Sequence, residues 1–349
     1  MTRASPEPLR VLVTGSAGFI GFHLARLLLT DGHVVHGLDG MTPYYDVSLK
    51  ERRHRILLQT PGFTRTEAML EDAQAVARAA AEFAPDMIVH LAAQAGVRYS
   101  LENPRAYIDS NITGTFNVME AARAQKVRHL LMASTSSVYG ANTQMPFAET
   151  DKADTPLTIY AATKKATEAM GHSWAHLHGL PVTMFRFFTV YGPWGRPDMA
   201  YFKFARAILQ GEPIDVYNNG EMYRDFTYVD DLVRAIRLLM DVPPPLPGPA
   251  RPAAVPGDTL SAAAPFRVVN IGNSQKVRLL DFIEALENSL GRRAVHNLMP
   301  MQTGDVPATW ANADLLRALT GYVPRTQIAD GVQRFVEWYG EYASSPAKE

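Results

Sequence analysis

Over its first 190 residues the chain alternates short, unbroken apolar runs with amphipathic stretches. The runs at 9–15 (LRVLVTG), 33–39 (HVVHGLD), 86–93 (DMIVHLAA), 127–134 (VRHLLMAS) and 180–188 (LPVTMFRFF) have the length and continuity of strands buried on both faces. The segment after Gly15 sets Ile20, Leu24, Leu27 and Leu28 on one helical stripe, and further helical stretches fall at 72–83, 105–125 and 159–178. This alternation predicts a parallel sheet covered on both faces, for which a Rossmann-type doubly wound α/β fold is the simplest solution.

After residue 190 the pattern loosens. Loop-like segments at 191–199 and 211–227 alternate with helices at 200–210, 230–240, 279–290 and 328–345. The expected organisation is a Rossmann domain over 1–190, to which a segment near 225–275 also contributes, and a smaller, mainly substrate-binding C-terminal α/β domain over 191–349. Residues 243–265 (PPPLPGPARPAAVPGDTLSAAAP) are too rich in Pro, Ala and Gly for a helix or ladder and predict a mobile surface loop. A strand resumes at 266–273, and the terminal ASSPAKE is expected to fray.

Composition removes whole classes of chemistry. The chain has no cysteine, which excludes disulfides, thiolate nucleophiles and zinc–thiolate centres. Its 34 basic and 35 acidic side chains leave a formal charge of −1, which argues against nucleic-acid or membrane-surface partners. No apolar run approaches the roughly 18–20 residues that cross a bilayer. The opening MTRASPEPLR lacks the apolar core of a signal peptide, so a soluble cytoplasmic protein is expected.

Two constellations carry candidate chemistry. VTGSAGFIG places Gly15, Gly18 and Gly21 between the first strand and the first helix, where a backbone without Cβ atoms lets a pyrophosphate approach the helix N-terminus. Eighteen residues past Gly21 the second strand ends in Asp39, whose carboxylate suits an adenosine ribose and repels a 2′-phosphate. The cofactor expected is NAD. YAATK then sets Tyr160 and Lys164 four residues apart on one helix face, after the hydroxyl run Ser134, Thr135, Ser136 and Ser137 at a strand end. A nearby ammonium and a cationic nicotinamide are expected to draw the phenol toward neutrality, making Tyr160 a general base for a substrate hydroxyl.

These residues resemble the extended short-chain dehydrogenase/reductase superfamily, through TGSAGFIG, HLAAQAGV, the hydroxyl run before VYG, and YAATK. More narrowly, YYDVSLK (44–50), 100–111, 134–149, 186–199, 215–231 and 301–311 resemble the UDP-glucuronate 4-epimerases. The resemblance spans essentially the whole chain. It implies reversible C4 epimerisation of UDP-glucuronate to UDP-galacturonate through a 4-keto intermediate, with Thr135, Tyr160 and Lys164 catalytic. It implies a cofactor pocket that adds Phe19, Ile20, Leu91, Ala92, Ala93, Asn111 and Phe187 to the glycines and Asp39. Asn111 would support the active-site helix. Arg224 would meet the UDP phosphates, Tyr217 the uracil, and Thr189, Gln302 and Asp305 the rest of the nucleotide sugar. The family also implies a homodimer through helices 105–125 and 159–178.

One position departs from the superfamily. In AMLED, Met69 and Leu70 stand where an acid usually holds the adenine amine, leaving apolar contact or a shifted Asp72 to do so. Ser136 and Ser137 occupy the places of the acids typical of related decarboxylases and dehydratases. With Thr135 and a bidentate Arg196 they form a candidate cradle for the C6 carboxylate. The alternatives are a neutral-sugar epimerase, a nucleotide-sugar decarboxylase, or a non-catalytic NAD-binding scaffold. Other features have bland readings. His172 and His176, at i and i+4, suggest a solvated or subunit-facing helix side rather than a metal site, and KERRHR (50–55) suggests a solvated basic face.

Overall fold

The computed structural model describes residues 8–302 and 304–344; most of the N-terminal lead-in and the last five residues of ASSPAKE lie outside the described residues. Seven strands form one parallel sheet: β1 (Arg10–Thr14), β2 (Val34–Asp39), β3 (Phe63–Glu67), β4 (Met87–His90), β5 (His129–Thr135), β6 (Val182–Phe187) and β7 (Phe266–Ile271). Their spatial order is β7-β6-β5-β4-β1-β2-β3. The order reverses between β1 and β4, and in open α/β sheets ligands bind beyond the strand ends at such a point. The apolar runs mark every strand but β3. That strand, FTRTE, buries only Phe63, because an edge strand needs no continuous hydrophobicity.

The helices are α1 (Phe19–Thr30), α2 (Val47–Leu58), α3 (Ala73–Phe83), α4 (Thr115–Ala124), α5 (Ile159–His178), α6 (Ala200–Gln210), α7 (Val229–Met240), α8 (Leu279–Leu290), α9 (Asp314–Thr320) and α10 (Ile328–Ser344). One face of the sheet packs on α1 and α7 through Phe22, Leu24, Leu28, Leu232 and Ile236. The other packs on α3, α4 and α5 through Val76, Ala80, Val118, Met119 and Ala175. A third, aromatic core holds the smaller half together, with Phe226 stacked on Phe282 at 4.1 Å and Tyr201 edge-on to Phe335 at 5.0 Å. Short strands follow at Pro213–Tyr217, Tyr223–Arg224, Phe226–Tyr228, Val295–Met299 and Ala308–Thr309, the first three where the sequence predicts loop over 211–227.

Two expectations about local structure are corrected. The stretch 105–125 is not one helix: a turn at Pro104–Tyr107 passes through a π-helical segment, Ile108–Gly114, before α4 begins. The bulge turns Asn111 into the interior and brings Gly114 against Leu70, where a Cβ would lie 2.5 Å from the leucine Cβ. The basic run KERRHR is not a solvated face either. Asp46 caps α2 by accepting from the Ser48 amide at 2.9 Å, and the helix then buries Lys50, Arg53 and His54 beneath the glycine loop.

Residues 243–265 hold neither helix nor strand. They are nonetheless tied to the body at several points. Asp258 forms a buried ion pair with Arg267 at 2.8 Å, and Thr259 Oγ1 accepts from the Val268 amide at 2.9 Å. His172 meets Ser261 Oγ at 2.8 Å and His176 meets the Ala263 carbonyl at 2.7 Å. The two histidines therefore contact this loop, His172 half-buried and His176 still exposed to solvent.

Candidate active site

The carboxyl ends of the sheet strands meet loops of the smaller half around a cleft of about 1460 Å³. Gly15, Gly18, Phe19, Ile20, Gly21, Asp39, Leu91, Ala92, Ala93 and Phe187 line it from the sheet side, with Thr135, Ser136, Ser137, Tyr160 and Lys164. Thr189, Arg196, Tyr217, Arg224 and Asp305 line it from the loops that follow. Asn111 and Gln302 are not in the lining. Asn111 is fully buried, where its Oδ1 accepts from the Gln94 amide at 2.9 Å and its Nδ2 donates to Thr163 Oγ1 at 3.1 Å. It braces α5 from behind rather than forming a cofactor wall. The Gln302 Oε1 is buried without a hydrogen-bond partner among the described residues.

The glycine loop fits the close approach of an anion. Gly15 has φ +75°, and a Cβ on it would lie 2.8 Å from the Ala92 nitrogen. A Cβ on Gly21 would lie 2.1 Å from the Gly15 carbonyl oxygen. Only hydrogen fits at either place, so the turn can hug the N-terminus of α1, whose free amides and dipole favour negative charge. Asp39 fixes this loop while lining the cleft: its Oδ2 accepts from the Ala17 amide and its Oδ1 from the Met41 amide, each at 2.9 Å. Where the sequence left adenine to apolar contact or a shifted acid, Met69, Leu70 and Glu71 line the cleft. Asp72 is committed as the cap of α3, accepting from the Ala75 amide at 2.9 Å.

Thr158 caps α5 by accepting from the Ala161 amide at 3.2 Å, so Tyr160 and Lys164 leave the first turns of the helix together. The Lys164 ammonium donates to the Ala133 carbonyl at 2.9 Å, and burial lowers its pKa to about 8. Burial pushes the Tyr160 phenol up, against the Thr135 hydroxyl and the Arg196 charge, which pull it down. The expected drift toward neutrality is thus not achieved by the polypeptide alone, since burial of the phenol outweighs both. Thr135 Oγ1 accepts from the Ser137 amide at 3.2 Å, which turns the hydroxyl run out of the strand and into the cleft. Ser134 points the other way. It donates to Glu168 at 2.7 Å, and Arg186 grips that carboxylate through two bonds of 2.9 and 2.8 Å.

Arg196 does not present its bidentate edge to the cleft. Nε and Nη2 both donate to Asp198, at 3.0 and 2.5 Å, and Tyr44 adds a bond to the same carboxylate at 3.3 Å. Burial opposes the Asp198 charge, yet the guanidinium holds its pKa below the ordinary value, while burial and Asp198 push Tyr44 up to about 12. Arg196 therefore offers its charge and Nη1 where a bidentate clasp was expected. Arg224 donates to the Tyr223 carbonyl at 2.9 Å. Arg98 lies 4.7 Å over the Tyr217 ring and pairs with Asp305 at 3.4 Å. Tyr44, Lys50, Arg98, Lys203 and Arg206 also line the cleft and were missed. Of these, Tyr44 and Lys50 carried a signal, since both fall within YYDVSLK, a stretch through which the sequence resembles its family.

Comparison with known proteins follows the same lines. The NAD dependent epimerase/dehydratase family matches residues 11–248. A "Probable UDP-glucuronate 4-epimerase" of Rhizobium meliloti (strain 1021) is 59% identical, covering 95% of this chain and 97% of its own. UDP-glucuronate 4-epimerase 1 of Arabidopsis thaliana is 44% identical over 96% of this chain and 77% of the plant protein. Among solved structures, UDP-glucuronic acid 4-epimerase from Bacillus cereus in complex with UDP-glucuronic acid and NAD is similar at a TM-score of 0.84 and 29% identity, covering 96% of this chain and 100% of that one.

Proposed function

The chain belongs to the NAD dependent epimerase/dehydratase family, and on that premise we propose that it interconverts UDP-glucuronate and UDP-galacturonate with NAD as its cofactor. The glycine loop, Asp39, the 91–93 segment and Phe187 fit the dinucleotide, because the tight contacts of Gly15 and Gly21 leave a Cβ-free surface at the start of α1. When bound, NAD supplies the acceptor and later the donor of a hydride at C4 of the sugar.

The remaining work falls to side chains. Tyr160 takes the proton of the O4 hydroxyl and returns it after inversion, and Thr135 hydrogen-bonds the same oxygen. Lys164, protonated below about pH 8, stabilises the tyrosinate. A C4 ketone stands β to the C6 carboxylate and invites loss of CO₂. Ser136, Ser137 and the Arg196 charge hold that carboxylate so that the breaking bond stays out of line with the carbonyl π system. Arg224 meets the diphosphate, and Tyr217 covers the base.

One observation carries the reading. The two positions after Thr135 are both serine, they line the same cleft as the cationic Arg196, and neither serine can protonate or deprotonate C5. Incubation of the purified protein with UDP-glucuronate, followed by proton NMR of the anomeric signals, should show UDP-galacturonate. Release of CO₂ as the main outcome, or faster turnover of UDP-glucose, would overturn it.

The chain is further proposed to form a homodimer. Ile108, Phe116, Ile159 and Leu177 lie 41%, 42%, 42% and 67% exposed on the 104–124 and 159–178 segments, an apolar face for a second copy. Light scattering at micromolar concentration should give twice the chain mass. No helix of the described residues is long and apolar enough to cross a membrane, and a cytoplasmic setting suits the proposed substrates.

A further inference from the structure

The loop that carries Arg196 is held by a residue to which nothing above assigns a role in the reaction. Arg53, on α2, is fully buried. Its Nη1 donates to the Ala17 carbonyl of the glycine loop at 2.8 Å and to the Tyr45 hydroxyl at 2.9 Å. Its Nη2 donates to the Trp194 and Gly195 carbonyls at 2.5 and 3.2 Å. One planar fork thus joins the cofactor loop to the two peptide units that immediately precede Arg196.

Those peptide units do not hold their shape unaided. Trp194 has φ +59°, a left-handed conformation that residues with a Cβ seldom adopt. Gly195 is pressed against α6, where a Cβ would sit 2.0 Å from the Tyr201 hydroxyl. On α1, His23 meets the Pro193 carbonyl at 2.9 Å. The loop is therefore clamped from three helices, and Arg53 is the clamp that also touches the cofactor loop.

We propose that Arg53 is a positioning residue for the uronate carboxylate: by fixing the main chain of Trp194 and Gly195 it sets the Arg196 guanidinium, and so decides whether the 4-keto intermediate keeps its carboxylate. This rests on the reading that Arg196 meets that group. If Arg196 shifts, the C5–C6 bond can align with the C4 carbonyl. The bond then breaks, its electron pair passes to the carbonyl as an enolate, CO₂ departs, and C5 takes a proton from water. The products are CO₂ and a UDP-4-keto-pentose, with the cofactor left reduced.

The test uses full-length Arg53→Lys, which keeps the charge and loses the fork, and Tyr45→Phe, which removes a single bond. Each is given UDP-glucuronate labelled at C6, and labelled CO₂ is counted against UDP-galacturonate. Arg53→Lys should raise both the CO₂ fraction and KM about tenfold or more, as expected when a reacting group is misplaced by a fraction of an ångström, with UDP affinity unchanged. Tyr45→Phe should move the ratio the same way by less. In an Arg196→Ala background, Arg53→Lys should add nothing to the CO₂ fraction. An unchanged ratio in folded Arg53→Lys, or in Tyr45→Phe should the first variant not fold, overturns the proposal, as does full additivity with Arg196→Ala. If the wild-type protein makes no UDP-galacturonate, the underlying reading has failed first and both fall.

Discussion

The two walls of the cleft are built on different plans. The sheet-side wall comes from β–α units of the parallel sheet, and its key groups leave strand ends or first helical turns: Gly15 to Gly21, Asp39, Thr135 to Ser137, Tyr160 and Lys164. The opposite wall is collected from far-separated pieces. Arg196, Tyr217, Arg224 and Asp305 lie on loops and two- to five-residue strands, held by an aromatic core and by cross-ties such as Arg98 to Asp305. In the proposed function the first wall takes the dinucleotide, the proton and, through Ser136 and Ser137, part of the uronate carboxylate, and the second takes the UDP and supplies the Arg196 charge. Regular structure gives the fixed chemistry its precision, and irregular backbone lets recognition vary on the same frame.

Substitutions on the two walls should therefore fail in different ways. The largest effect is expected at Tyr160→Phe, which removes the proton carrier and should lower kcat by about 10²–10⁴ with little change in KM, as read by NMR turnover. Gly21→Ala comes next. A methyl cannot fit 2.1 Å from the Gly15 carbonyl, so the loop must open, at about 1–3 kcal/mol of stability and with loss of NAD from the purified protein. Thermal unfolding and the NAD content of denatured protein measure both.

On the other wall, Arg224→Ala should weaken UDP binding by about 10–100-fold in calorimetry and leave NAD content at the wild-type level. If it lost NAD as well, the two walls would not be separable. The smallest effect sharpens the picture beneath both walls. Glu149 is buried, and burial raises its pKa from 4.5 to about 7. The native state thus binds a proton more tightly than the unfolded chain, so this contribution to stability is complete below pH 4.5 and is lost as pH rises through about 7. Glu149→Gln should flatten the fall in melting temperature over that window relative to wild type.

Legibility in the sequence follows the same division. The buried strands, the glycine loop and the Tyr160–Lys164 pair could be read because local pattern and local chemistry coincide there: strand, turn, helix start and functional group share one short segment. The π-bulge could not be read: Ile108–Gly114 (IDSNITG) is made of weak helix formers, which lower helix propensity without specifying a bulge, and its distortion comes from Asn111 and Gly114 meeting Gln94, Thr163 and Leu70. Nor could the burial of Arg53 and His54. Their partners, Ala17, Trp194, Gly195 and Ser16, are remote in the chain, and a basic run gives no hint of a carbonyl cage. Arg196 was found, but its pairing with Asp198 two residues on was not, and that pairing changes which edge of the guanidinium is available.

The place of β7 has a consequence for how the molecule is made. This strand, Phe266–Ile271, completes the sheet beside β6, yet nearly eighty residues separate the two, and α6 and much of the opposite wall lie between them. A ribosome therefore delivers most of the recognition loops before the scaffold is closed. The emerging polypeptide must carry an open β6 edge until the last quarter of the message is translated, and no single cut can part the sheet from the recognition loops inserted between β6 and β7.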